Sequence, residues 1–503
     1  MNQFHLQNRF SAKAVVALLL IVAADFLFFD QPVGITLFLF AALLATAVGL
    51  LHSAKLAHAA IATLAIVPLF ENVSALSVSV ALIGLTIFAL SVSGHLRGGA
   101  ARMSRQVAGF LLIAPFRLPF DVARAKNGAE RLGRTASRFG SFAVWTMPLV
   151  LGAVFLILFG IANPVIDRWL AQIDIWFVFD LLDPVRFAFW ILVAIFVWPF
   201  LRPRLPRWRR RPRAVAQAVE APKPEADAAA ARTGTIFGKG AILRSLILFN
   251  ALFAVQTILD AAYLWGGVAL PNGMTYAAYA HRGAYPLIAT ALLAAAFVLI
   301  AMRPGSETSG DALIRRLVYL WTAQNVVLVI SSILRLDLYV SIYSLTHWRV
   351  AAFIWMGLVT VGLLLIIARI WQGKSNEWLL SANLLTLSAV LYACCFINFA
   401  TMIATYNVTH SREMGGGGRG LDVDYLLSLG PASLPAIETL LRNPLAVHSP
   451  AGGRVAMEFA TLTTIFFYNQ EEWRAWTFRQ WRLGRYLDKL IINNPSDAPE
   501  PAM

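Results

Sequence analysis

Apolar residues run through this chain in long blocks almost free of charge. They lie near 14–29, 34–51, 56–70, 76–92, 142–166, 187–200, 242–265, 286–302, 317–334, 350–370 and 378–401. A helix of about 20 such residues crosses a bilayer core of roughly 30 Å. The blocks lack the two-residue alternation of a membrane strand, and backbone polar groups in lipid must be satisfied within the segment, so each predicts a helix. The expected fold is all-α: a polytopic transmembrane helix bundle of about 11 spans with a small helical C-terminal tail. The third and sixth blocks are short, and the third with its partner also reads as a re-entrant hairpin, a change that removes two crossings together and leaves the sidedness intact.

Charge turns this pattern into a topology. The net charge of +15 is concentrated in short loops beside apolar blocks, and alternating the spans from a cytoplasmic N-terminus puts most of the Lys and Arg on the inner side. That positive-inside bias reads as a bacterial inner-membrane protein with a periplasmic C-terminus and anionic lipids at its basic loops, and it argues against nucleic acid as partner. Asp25 and Asp30 stand where a signal-peptide cleavage site would need small residues, so the first span is expected to be retained. The segment from Arg105 to Ala125 mixes Phe110, Leu112, Phe116 and Phe120 with Arg105, Arg117 and Arg124, a composition suited to the membrane surface. Seven arginines from Arg202 to Arg213 open an Ala, Pro and Glu-rich run that should be a disordered linker. The expected divisions are 1–203, a front membrane half; 204–241, the linker; 242–404, a back membrane half; and 405–503, an extracytoplasmic tail.

Few polar residues look placed. Gln256, Asp260 and Tyr263 share one helical face, and Trp321, Asn325, Ser332, Arg335 and Tyr339 fit one face of a second helix. A charge at membrane depth costs at least about 2.5 kcal/mol unless paired or hydrated, which makes Asp260 and Arg335 each other's natural partner. The pair reads as a gate, a coupling site or a cavity floor, or else as a structural ion pair that sets helix register. Asp25 is a second intramembrane acid, more simply read as exposed at the outer boundary. In the outer loop, Thr275 can cap a short helix carrying Tyr276 and Tyr279, with His281 and Arg282 beside it. Such a group suits a phosphate, carboxylate or sugar, or an interfacial aromatic belt. The only cysteines, Cys394 and Cys395, are adjacent in an apolar block and offer neither a disulfide framework nor metal-ligand spacing. No metal, cofactor or catalytic residue is expected, since no nucleophile–base or paired-carboxylate arrangement can be placed.

NALFAVQTILDAAYLWGG, TYAAYAHRGAYPLIATALLAAAF, SSILRLDLY, YSLTHWR, YNVTH and LDVDYLLSLGPASLPAI together resemble the bacterial integral-membrane domain-of-unknown-function family DUF4173, related to DUF4153, over roughly 242–485. The front half resembles nothing nameable. The resemblance implies an uncharacterised multi-span inner-membrane protein and brings no substrate, cofactor or catalytic residue. In the tail, a flexible SREMGGGGRG run should precede helices near 422–429, 432–441 and 454–490, with Trp473, Trp476 and Trp481 on the last. Those tryptophans pack on the protein itself, on the membrane surface or on an envelope protein partner. Two functions stay open: binding or translocation of an envelope lipid, glycan or solute, and a scaffold or signalling accessory acting through tail and basic loops.

Overall fold

The structure, a computed structural model, describes residues 2–121, 124, 152, 183–205, 239–262, 290, 293, 297, 311–417 and 419–493, with backbone alone at 2–11 and 491–493. Every regular element among the described residues is helical. Among the described residues, seven helices are long and apolar enough to cross a membrane, so the protein is an all-α membrane bundle. Apart from residues 152, 290, 293 and 297, the predicted fifth and eighth spans lie outside the described residues, as do the 206–238 part of the linker and the outer-loop group Tyr276, Tyr279, His281 and Arg282.

The chain divides into two compact units. The first holds α1 (Asn2–Phe28), α2 (Ile35–His52), α3 (Leu56–Glu71), α4 (Ala75–Val92), most of α5 (Ala100–Ile113) and α6 (Pro184–Leu201), together with residues 472–479. α3 and α4 approach closely because small residues face one another: a methyl group added at Gly84 would meet Ala65 Cβ at 2.4 Å. Small residues at crossings are how membrane helices gain van der Waals contact where lipid supplies no hydrophobic drive. With sixteen residues, α3 spans about 24 Å, short of the hydrocarbon thickness. The sixth span is longer than the sequence suggests, since Asp183 caps it by accepting from Arg186 N at 3.0 Å and Pro184 occupies its first turn. Asp25 is not simply exposed. Arg186 Nε donates to it at 2.8 Å and Trp190 Nε1 at 2.8 Å, which ties the end of α1 to the start of α6.

The second unit holds α7 (Lys239–Asp260), α8 (Ala312–Tyr343), α9 (His347–Trp371) and α10 (Asn376–Cys394), then the tail helices α11 (Phe399–Thr409), α12 (Val423–Ser428), α13 (Leu434–Leu441), α14 (Pro444–Val447), α15 (Pro450–Gln470) and most of α16 (Phe478–Asn493). α8 outruns its predicted span at both ends. Asp311 accepts from Leu313 N and Ile314 N at its start, while Arg349 Nη1 donates to the Tyr343 carbonyl at 2.6 Å at its end. The last predicted span is broken: the chain leaves helix at Cys395, and Asn398 caps α11 by accepting from Thr401 N at 3.3 Å. The tail has its own core of Val408, Leu426, Ile437, Leu440 and Val455. Around the glycine run, Gly416 N meets the Ser411 carbonyl at 2.9 Å and Leu421 N meets Glu413 Oε2 at 2.9 Å; Gly418 lies outside the described residues. The single helix expected over 454–490 is two, parted by a 3-10 turn at Trp473–Ala475, so Trp473 and Trp476 stand before α16 and only Trp481 lies on it.

Residues 472–479 belong to the first unit because of what they touch. Trp476 packs on Phe70 at 5.3 Å between ring centroids and Phe478 stacks on it at 5.7 Å, Arg474 lies over Phe26, and Arg479 pairs with Glu71 at 3.3 Å. A methyl group at Gly34 would strike the Ala475 carbonyl at 2.3 Å, so only glycine admits this strand of chain. The last residue of α3 and the neighbourhood of the α1–α2 turn therefore share one end of the helices with this segment.

Candidate functional site

α7 and α8 run parallel. Lys239 pairs with Asp311 at the starts of the two helices, Asn250 Nδ2 reaches the Leu317 carbonyl at 3.2 Å, Gln324 Nε2 reaches the Asn250 carbonyl at 3.3 Å, and Arg335 Nη2 donates to Asp260 Oδ1 farther along. Asp260 and Arg335 are 1% and 3% exposed. Gln256, one turn before Asp260, donates to the same carboxylate oxygen at 2.8 Å. The structure thus brings together three of the residues singled out by spacing, and it places the ion pair eight residues before the end of α8, about 12 Å along the axis.

Asn325 and Ser332 are buried on the same helix but do not join that pair. Asn325 Nδ2 bonds the Trp321 carbonyl at 2.8 Å and Ser332 Oγ the Leu328 carbonyl at 2.9 Å, the i−4 back-bonding by which polar side chains satisfy themselves within a helix. Trp321 stands in an aromatic cluster, stacked on Phe249 at 5.1 Å and edge-on to Phe253 and Phe297. Tyr339 turns to Tyr343 and Arg349 beyond the pair. Tyr263 lies outside the described residues.

Among the described residues, the buried atoms Asn250 Oδ1, Trp321 Nε1 and Gln324 Oε1 beside the contact of α7 with α8, and Asn325 Oδ1 and Ser331 Oγ elsewhere on α8, have no hydrogen-bond partner. Natural proteins leave few such groups, and each demands a reason, such as water, an ion or a ligand that visits the site. With Gln256, Asp260 and Arg335, the atoms of Asn250, Trp321 and Gln324 make the contact of α7 with α8 partly polar, although Leu248, Leu252, Val255 and Ile258 on the outward side of α7 are exposed and apolar. Asn250, Gln324 and Ser331 escaped the sequence reading. Asn250 stands six residues before Gln256, off its face, and no pattern in one helix reveals which polar residues a second helix will bury. Among the described residues, no cluster of His, Cys, Asp and Glu could hold a metal ion, and Cys394 and Cys395 are buried thiols.

The sequence signature described as Domain of unknown function (DUF4153) matches residues 13–440. It takes in the front half, where motifs alone had shown no relationship, and reaches into the tail core. No curated protein and no solved structure matches.

Proposed function

The chain belongs to the DUF4153 family, a domain of unknown function, and we propose from its own residues that it binds or translocates an envelope lipid, glycan or solute along the polar stripe between α7 and α8. The observation that carries this reading is the Asp260–Arg335 pair, buried in apolar helices beside polar atoms that find no hydrogen bond among the described residues. A buried pair adds little net stability over apolar packing of similar volume, so an ion pair kept among apolar helices calls for a use. Charges in membrane helices mark pathways and coupling sites. Tyr276, Tyr279, His281 and Arg282 would form its outer mouth, in a bacterial inner membrane with the N-terminus cytoplasmic and the C-terminus periplasmic. Within the family we read the motifs of 242–485 as those of the related DUF4173 group.

A second reading, a scaffold with an envelope protein partner at Trp473, Trp476 and Trp481, rests on the half-exposed Trp473 and Trp481; Trp476 is engaged by Phe70. Co-purification in mild detergent with mass spectrometry separates the two. The intact chain, a chain ended after Gln470 and the double variant Asp260→Asn/Arg335→Gln are compared at equal folded amount. A lipid, glycan or solute that survives truncation and vanishes with the double variant supports the pathway. A protein partner lost only on truncation supports the scaffold and sinks the pathway.

A further inference from the structure

Away from the α1–α2 and α3–α4 turns, the first unit ends in a cavity of about 970 Å³ lined by Arg117, Asp121, Arg124 and Arg204 among apolar Ile113 and Phe120. Asp121 is the hub. Arg204 Nη1 approaches it at 3.0 Å, Arg202 Nη1 at 3.2 Å and Arg124 Nη1 at 4.0 Å, and Trp198 Nε1 donates to it at 3.2 Å. Arg117 is 8% exposed; it lies over the Phe110 ring at 4.8 Å and turns its fork to the carbonyls of Arg202 and Arg204. Among the described residues, three arginines and one carboxylate line the cavity, a net +2. The carboxylate has two oxygens, and both already meet arginine, so it cannot balance the lining. Like charges this close repel unless an anion sits among them. Burial holds the Arg117 and Arg202 guanidiniums below the usual arginine range, against the opposite pull of the Asp121 charge.

We propose that this cavity binds the phosphate group of an anionic phospholipid, with Arg117, Arg124 and Arg204 as the cationic wall and Phe120 against the apolar part. Arginine forks match phosphate oxygens geometrically and bind them by charge-assisted bonds. The volume far exceeds a bare phosphate ion, and Leu112, Phe116 and Phe120 expose apolar surface beside the arginines, as a segment lying in the lipid interface does. The sequence expectation of anionic lipids at basic loops thereby gains a place and a set of donors. The site is separate from the α7–α8 stripe.

The test uses the full chain in neutral detergent, titrated calorimetrically with dihexanoyl-phosphatidylglycerol, dihexanoyl-phosphatidylcholine and inorganic phosphate. Phosphatidylglycerol should bind at least about tenfold tighter than either of the others. Arg124→Gln, whose side chain is 74% exposed and therefore dispensable to the fold, should weaken it several-fold, and Arg124→Gln/Arg204→Gln about tenfold or more. The unliganded melting temperature of Arg124→Gln should not change, and Asp260→Asn/Arg335→Gln should leave this affinity intact. Inorganic phosphate binding as tightly as phosphatidylglycerol, with the same loss in the arginine variants, keeps the phosphate site and assigns it to a soluble phosphate. Absence of binding by both anions, or equal binding by wild type and the arginine variants, overturns the proposal.

Discussion

Asp260 and Arg335 answer for each other's burial, so removing one is not half of removing both. Asp260→Asn takes from Arg335, and Arg335→Gln from Asp260, its buried ion-pair partner; each should lower stability by about 3–5 kcal/mol. The double variant leaves no orphan charge and should cost less than either single change. Thermal unfolding in one detergent measures all three, and simple additivity would mean the two groups do not interact. A second residue-scale prediction concerns the tail. Burial, and then its hydrogen bond to Glu438 Oε2 at 2.6 Å, push the Tyr486 phenol up to about 12. The neutral phenol is the form the fold favours, so its contribution is complete below the ordinary value near 10 and disappears as pH rises through about 12. Absorbance titration near 295 nm should show a phenol ionising near 12 that Tyr486→Phe lacks; a difference between the two proteins centred near pH 10 would refute it.

Among the elements, what hydropathy reveals is where lipid-soluble runs lie, and α2, α3, α4 and α9 end within three residues of the apolar blocks that foretold them. What it misses depends on single side chains. Asn398 stops one helix and begins another inside a block that stays apolar throughout, and Asp311 and Arg349 carry α8 to 32 residues, well past its lipid-soluble stretch. Asn407 is a further case: its amide accepts from Leu345 N at 2.6 Å and donates to the Leu345 carbonyl at 2.9 Å, imitating a backbone partner where α8 turns into α9. Asn407→Ala strands two buried backbone groups and should cost roughly 2–4 kcal/mol in thermal unfolding; an unchanged melting temperature would show that the turn stands without it. Gly34→Ala should push residues 472–479 off the helix ends, exposing Arg474 to trypsin at a rate that wild type does not show. Equal cleavage of both proteins would mean that the close approach holds nothing in place. The candidate pair was legible because opposite charges in apolar helices have few partners. Its neighbours Asn250, Gln324 and Ser331 were not, since their burial depends on the facing helix.

At the scale of the whole molecule, three contacts among the described residues give the relative sense of helices within each unit. α1 and α6 are antiparallel through Asp25 and Arg186, the ends of α2 and α6 meet through His52 and the Leu201 carbonyl at 3.1 Å, and α7 and α8 are parallel. Residues 472–479 share an end with the α1–α2 and α3–α4 turns, so Gln31→Cys and Glu472→Cys should be labelled by an impermeant thiol reagent from one face of the membrane and Arg97→Cys only from the other. Labelling of the first two from opposite faces would contradict this topology.

The most direct measurement of the pathway needs no ligand. Ser332→Cys, on a background in which Cys394 and Cys395 are alanine, is treated in intact membranes with a small, charged methanethiosulfonate. Ser332 is 1% exposed in this state, so a purely structural stripe leaves the new thiol inert. A path that opens to water or ligand makes it react, and more slowly at Leu363→Cys in the apolar core. Reaction at Ser332→Cys is the result predicted; a thiol as inert there as at Leu363→Cys would contradict the account.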